Sequence, residues 1–187
     1  MGERIKSVLL LCSGGIDSTA CIHYYVNQGY LIKPIFIDYG QEALKLEYLS
    51  AKKITSYYKL NLVKIKINFN QRYSSGETIG RNALLLLSAI MANPGYKGIV
   101  SIGIHSGVPY YDCSELFAKD ISKIINSYSD GQIVLDIPFL KWDKKSIYRY
   151  CINNDVPISL TYSCELGGKV PCGKCLSCLD RRLLDVS

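Results

Sequence analysis

The chain has 187 residues, 48% of them apolar, and 22 basic against 16 acidic side chains give it a net charge of +6. That is the size and composition of one globular domain with its own core, and it excludes disordered, collagenous and low-complexity chains. No apolar run is long enough to span a bilayer, and Met1-Gly2-Glu3-Arg4-Ile5-Lys6 does not open a signal peptide, so a cytoplasmic protein without a membrane partner is expected.

The first predicted element, residues 8–12 (Val-Leu-Leu-Leu-Cys), is a continuous apolar run that reads as a buried parallel strand. Ser13-Gly14-Gly15-Ile16-Asp17-Ser18 follows it at once, and Cys21, Ile22, Tyr25 and Val26 then recur at helical spacing until Gly29. Strand, glycine turn and helix make a phosphate site: two glycines let the backbone approach an anion, and the helix dipole favours negative charge there. The N–H groups of Gly14, Gly15 and Ile16 and the hydroxyls of Ser13 and Ser18 are the expected donors. Asp17 would repel a phosphate, so its place in the loop points to a Mg²⁺ ligand bridging to the phosphates. The Walker lysine is missing and there is no G-x-G-x-x-G.

Leu31–Asp38 is the second predicted strand, ending in Asp38-Tyr39-Gly40-Gln41, and a helix over residues 44–58 follows with Leu46, Leu49, Ile54 and Tyr57 or Tyr58 on its apolar face. Residues 62–67 give a third strand, and residues 68–80, with Ser74-Ser75-Gly76, a polar loop suited to a lid. Asn82 is expected to cap a helix running to Met91, and residues 98–104 to form the fourth strand. A loop to Asp112, a helix capped by Ser114, a fifth strand over residues 133–137 and a helix capped by Asp143 complete the pattern. Strands alternating with helices give an α/β fold with a doubly wound, open parallel sheet, whose ligand site lies beyond the carboxyl ends of the strands. The polar clusters Ser13–Ser18, Asp38–Gln41, His105–Cys113 and Trp142–Lys144 all fall at those ends.

Four of the eight cysteines cluster as Cys164-x7-Cys172-x2-Cys175-x2-Cys178. Four thiolates at this spacing select Zn²⁺, and a closed shell leaves the metal structural. The domain therefore spans residues 1–187, with 160–187 its zinc-binding segment. Cys12, Cys21 and Cys151 read as small buried apolar residues. The lysines are scattered over the surface, so nucleic acid is not an expected partner.

Together these motifs resemble the QueC family of 7-cyano-7-deazaguanine synthases, in the ATP-pyrophosphatase (PP-loop) superfamily. The resemblance runs from the loop at Ser13–Ser18 through Asp38-Tyr39-Gly40-Gln41, Gly80-Arg81-Asn82, Tyr110-Tyr111-Asp112-Cys113 and Asp143-Lys144 to the knuckle Cys172–Cys178 with Arg181. It implies an adenine nucleotide alpha hydrolase-like fold, a homodimer, and adenylation of the carboxylate of 7-carboxy-7-deazaguanine by ATP with Mg²⁺. Ammonia then attacks to give an amide, which a second activation dehydrates to the nitrile. On this reading Asp17, Lys144 and Arg81 are catalytic, and Ser13, Gly14, Gly15, Ile16, Asp17, Ser18, Asp38 and Gln41 bind ATP. His105, Tyr110 and Asp112 bind substrate. Asp112 faces a guanine-type edge or else caps a helix, and His105 is a base or a spectator.

The chain departs from the family after Gln41, where Glu42-Ala43 replaces the usual Arg-His, and in a shorter segment before Arg81. Residues 104–109, including His105 and Ser106, replace an acidic loop, and Ser114 stands where arginine is usual. A more open acceptor side would admit a protein amine, as in the QueC-like proteins of bacterial antiphage systems. A tRNA-thiolation enzyme and a non-enzymatic zinc-knuckle module are the remaining readings; the first requires a free catalytic cysteine pair and the second no phosphate loop.

Overall fold

The computed structural model describes residues 6–70, 73, 76–105 and 107–184; Ser74, Ser75 and Ser106 lie outside the described residues. Five strands form one parallel sheet in the order β3-β2-β1-β4-β5: β1 (Ser7–Leu11), β2 (Leu31–Asp38), β3 (Val63–Lys66), β4 (Gly98–Ser101) and β5 (Ile133–Asp136). The chain moves outward from β1 to β3, then returns to the other side of β1 with β4. This reversal leaves a crevice beyond the carboxyl ends of β1 and β4.

The period-two alternation of β1 builds both halves of the core. Val8 and Leu10 face a layer made with Ala20, Ile22, Tyr25, Ala51, Ile54, Ile147 and Cys151, from helices α1 (Ile16–Asn27), α2 (Leu44–Tyr57) and α5 (Lys144–Asn153). Leu9 and Leu11 face the opposite layer with Leu86, Phe117 and Ile121, from α3 (Arg81–Met91) and α4 (Glu115–Tyr128). The sheet is thus covered on both faces, as its apolar strands require. Cys12, Cys21 and Cys151 are buried in the first layer. Ser114 caps α4 by accepting from Phe117 N at 3.1 Å, and Asp143 caps α5 by accepting from Ser146 N at 2.7 Å. No helix among the described residues is long and apolar enough to cross a membrane.

Three local expectations need correction. Asn82 caps nothing: it lies inside α3, is buried, and its Nδ2 donates to the Asp112 carbonyl at 2.9 Å, a tertiary bond that outcompetes a local cap. β4 ends at Ser101, paired with the last residue of β5, because Gly103 then turns against α1. On α2, Ile54 is buried and the C-cap residue Tyr58 packs against the core, as expected. Leu49 and Tyr57, however, are exposed while Ser50, Ala51 and Thr55 are buried, so small residues share the inner face. The reason is close approach: a Cβ on Gly14 would lie 2.6 Å from the Glu47 carbonyl and 2.9 Å from Ala51 N. Beyond the expected elements, α6 (Leu176–Leu183) closes the chain over the cysteine knuckle.

Candidate active site: a cleft over the phosphate loop

The Ser13–Ser18 loop is held from both sides. Gly14 adopts φ +83°, a left-handed conformation natural to glycine. Its carbonyl accepts from Ser50 Oγ on α2 and from Tyr162 N of the C-terminal segment, both at 2.9 Å. On the far side a Cβ at Gly103 would lie 2.8 Å from Asp17 C and Ser18 N, so only glycine admits this contact. Within the loop Ser18 Oγ donates to the Gly15 carbonyl at 3.1 Å and Ser13 Oγ to Ser18 Oγ at 3.2 Å. Gly15 sits at the N-cap of α1, so the first-turn N–H groups that follow have no intrahelical acceptor.

A cleft of about 350 Å³ opens over this loop. Its floor is Cys12, Ser13 and Gly15–Ser18, and Lys144 enters from the start of α5. Lys144 Nζ binds both Asp17 oxygens, at 2.8 and 2.6 Å, with the two side chains only 21% and 22% exposed. Gln41, Arg81, His105 and Tyr110 also line the cleft, so it collects expected residues from the phosphate loop, the turn after β2, the loop after β4 and the starts of α3 and α5. Ile35, Phe36, Leu85, Ile102 and Ile104 supply apolar wall for a flat ring.

Three of the expected residues are not among those lining the cleft. Gly14 lies behind the loop, packed on α2. Asp38 Oδ2 is bound by Lys64 Nζ at 2.8 Å and its Oδ1 accepts from Gly40 N at 3.4 Å, so this carboxylate shapes the turn outside the cleft. Asp112 is also outside the lining: it is buried in a short 3-10 turn, with Oδ2 accepting from Asn82 N at 3.3 Å. The cap of α4 is Ser114 instead.

The cleft is also lined by residues to which the sequence reading gave no role in binding or catalysis: Glu47, Tyr162, Glu165, Asp180 and Arg181. Arg181 Nη1 donates to Thr161 Oγ1 at 3.0 Å and Ser163 Oγ at 3.1 Å, joining α6 to the stretch that reaches Gly14. Glu165 accepts from Gly76 N at 3.1 Å and Ser177 Oγ at 2.9 Å, tying the segment before Arg81 to the knuckle. Gly167 packs on Glu42 and Ala43, where its Cβ would be 2.6 Å from the Glu42 carbonyl. Glu47 lies one turn before Ser50 and Ala51, the small residues that touch the loop, a contact that only the fold reveals.

Burial raises the pKa of Glu47, with the Gln41 hydrogen bond and Arg81 opposing it. Burial pushes the thiols of Cys12 and Cys113, which also line the cleft, up to about 12 and about 11. In the knuckle, the sulfurs of Cys164, Cys172, Cys175 and Cys178 all lie within 4.8 Å of one another, and Cys172 Sγ is 3.8 Å from Cys178 Sγ. Four thiolates around one ion at ~2.3 Å sit about 3.8 Å apart, so the group fits a single tetrahedral metal. The backbone N–H groups of Lys174 and Cys175 hold the Cys172 thiol down to about 6, toward the thiolate a metal needs.

A parallel sheet of this order, with a Ser-Gly-Gly-x-Asp-Ser loop at its switch point, defines an enzyme of the PP-loop ATP-pyrophosphatase class. The family model of the queuosine biosynthesis protein QueC matches residues 7–80 and 78–183, and the chain belongs to that family. The 7-cyano-7-deazaguanine synthase of Acetivibrio thermocellus is 32% identical over 210 residues, covering 95% of this chain and 91% of that protein. The synthase of Picrophilus torridus is 35% identical over 208 residues, covering 94% and 85%. The structure of NMN synthetase from Francisella tularensis shares the fold, with a TM-score of 0.59 over 98% of this chain and 78% of that one at 16% identity.

Proposed function

We propose that the chain adenylates the carboxylate of 7-carboxy-7-deazaguanine with ATP and passes the activated acid to ammonia, giving first the amide and then the nitrile. Carrying this reading is the meeting of Asp17, Ser18, Lys144 and Arg81 in one cleft of a QueC-family chain. A carboxylate becomes an electrophile only when its oxygen leaves well, and AMP makes it do so. Ser13, Ser18 and the first-turn N–H groups of α1 bind the departing pyrophosphate. Lys144 and Arg81 neutralise charge that builds at the α-phosphorus. Asp17 suits a Mg²⁺ ligand because its carboxylate already holds a cation, the Lys144 ammonium, beside the loop. When bound, Mg²⁺ would supply Lewis-acid charge on the phosphate oxygens.

The cysteine knuckle suits Zn²⁺, since thiolates on the separate irons of a cluster would stand farther apart than these four sulfurs. We propose a structural role for it and a cytoplasmic setting, where thiols stay reduced. His105 and Tyr110, which line the cleft, are the substrate contacts proposed on the β4 side. Sulfur transfer has little support here, because raised thiol pKa values leave Cys12 and Cys113 poor nucleophiles at neutral pH.

A protein amine is the second acceptor, the chemistry of the antiphage reading. Favouring it is Ile79, an apolar side chain 93% exposed between the cleft residues Gly76 and Arg81. Mass spectrometry of reactions containing ATP, the deazaguanine acid and ammonium decides between them. Free nitrile without any added protein is the expected result. Adenylate that accumulates until a partner protein is supplied, and then appears as a mass increment on that protein, would make conjugation the function.

A further inference from the structure

The carboxylates around the cleft differ in what they already hold. Both oxygens of Asp17 bind Lys144, and both oxygens of Glu165 accept hydrogen bonds that tie two segments together. Glu47 is engaged on one side only, where Oε2 accepts from Gln41 Nε2 at 3.1 Å. Among the described residues no buried side-chain oxygen lacks a partner. Oε1 of Glu47 has none and is therefore open to the cleft that Glu47 lines. Asp180 also lines the cleft, but from α6 on the knuckle side. Glu47 leaves a helix whose backbone touches the phosphate loop, with its carbonyl 2.6 Å from where a Cβ of Gly14 would stand. That helix thus supports the back of the phosphate loop, while the Glu47 side chain lines the cleft in which the phosphate would react.

Both stages of the proposed reaction need a base near that phosphate. Resting on the adenylation reading above, we propose that Glu47 accepts the proton from the nitrogen that attacks the acyl-adenylate. A C–N bond forms, the C–O bond to AMP breaks, and AMP leaves with that electron pair. The proton lost by nitrogen passes to Oε1 and from there to water in the cleft. In the nitrile-forming round the adenylated amide releases two N–H protons as AMP departs, one to the same oxygen and one to water.

The groups around Glu47 suit the task. Arg81 faces it from α3, Glu165 and Tyr162 from the C-terminal segment, and Tyr39 and Gln41 from the turn after β2. Desolvation leads and Glu165 adds to it, so the carboxyl titrates above its ordinary range. A carboxylate nearer neutrality is the stronger proton acceptor. As it must be ionised to act, nitrogen transfer per free ammonia should rise with pH through the raised pKa and then level off.

The test uses the full chain with ATP, Mg²⁺, the deazaguanine acid and ammonium, in wild type, Glu47→Gln and Glu47→Asp. Adenylation is followed by acid-dependent ATP–pyrophosphate exchange, and transfer by amide formation in a single turnover. Glu47→Gln keeps the size of the side chain and a partner for Gln41. It is expected to slow exchange less than about threefold while transfer falls about 100-fold and loses its acid limb. Glu47→Asp should restore part of the rate together with that limb. Equal losses in exchange and transfer would overturn the role and leave Glu47 a support for the loop. A raised KM for the acid with unchanged transfer at saturation would overturn it too, making Glu47 a reader of the ring. Wild type without acid-dependent exchange would overturn the adenylation reading itself, and this role with it.

Discussion

Replacing Asp17 by Asn should lower ATP–pyrophosphate exchange by on the order of 1,000-fold, the scale at which a single electrostatic contact to a transition state is lost. The amide keeps the shape of the side chain but not the charge that would hold Mg²⁺ beside the phosphates. Lys144, freed from its 2.6 Å contact, would remain a cation without the metal's partner. Some stability should be lost as well, because both side chains are only about a fifth exposed and the variant leaves the Lys144 ammonium without its counter-charge. Ser18→Ala should act in the same direction, as it deletes a hydroxyl that donates to the Gly15 carbonyl at 3.1 Å and faces the cleft. Exchange assays beside thermal melts check both variants. A loss of exchange accompanied by an equal loss of folded protein would contradict the catalytic assignment.

The second large effect concerns the knuckle. Elemental analysis should find one zinc per chain, and replacing any of Cys164, Cys172, Cys175 or Cys178 by Ser should release it. Structural zinc contributes ~10 kcal/mol or more to the folding of small motifs. Here the segment also packs on the sheet domain, so a loss of several kcal/mol is expected, lowering Tm by about 10 °C. Activity should fall with it, because the knuckle is wired to the loop. Tyr162 N donates to the Gly14 carbonyl, and Arg181 binds Thr161 and Ser163 on either side of Tyr162. A chelator should therefore reduce exchange before the sheet domain melts. Metal-free protein of full stability, or a disulfide within the four, would contradict this.

The sheet and its loop were legible because their signals are local. Leu31–Asp38 is bounded as observed, and the caps at Ser114 and Asp143 do what their spacing to the following N–H groups predicts. Nor did the four cysteines need tertiary context, since Gly173 and two C-x-x-C steps already bring three sulfurs together. What the sequence hid is long-range. Nothing near Asn82 or Asp112 announces that they bind one another across 30 positions, which takes one carboxylate out of the cleft. Asp38 ends β2 as expected, yet Lys64 from the neighbouring strand claims it. Ser50 and Ala51 broke the apolar period of α2, because small residues at a close contact do not look like a buried face. That same contact places Glu47 over the loop.

The central claim is that this cleft splits ATP between the α- and β-phosphates to activate a carboxylate. Chromatography of the nucleotides formed from ATP, Mg²⁺ and ammonium, with and without 7-carboxy-7-deazaguanine, tests it most directly. AMP and pyrophosphate should appear, and only when the acid is present. ADP and inorganic phosphate as the products, or AMP formed at the same rate without the acid, would contradict it.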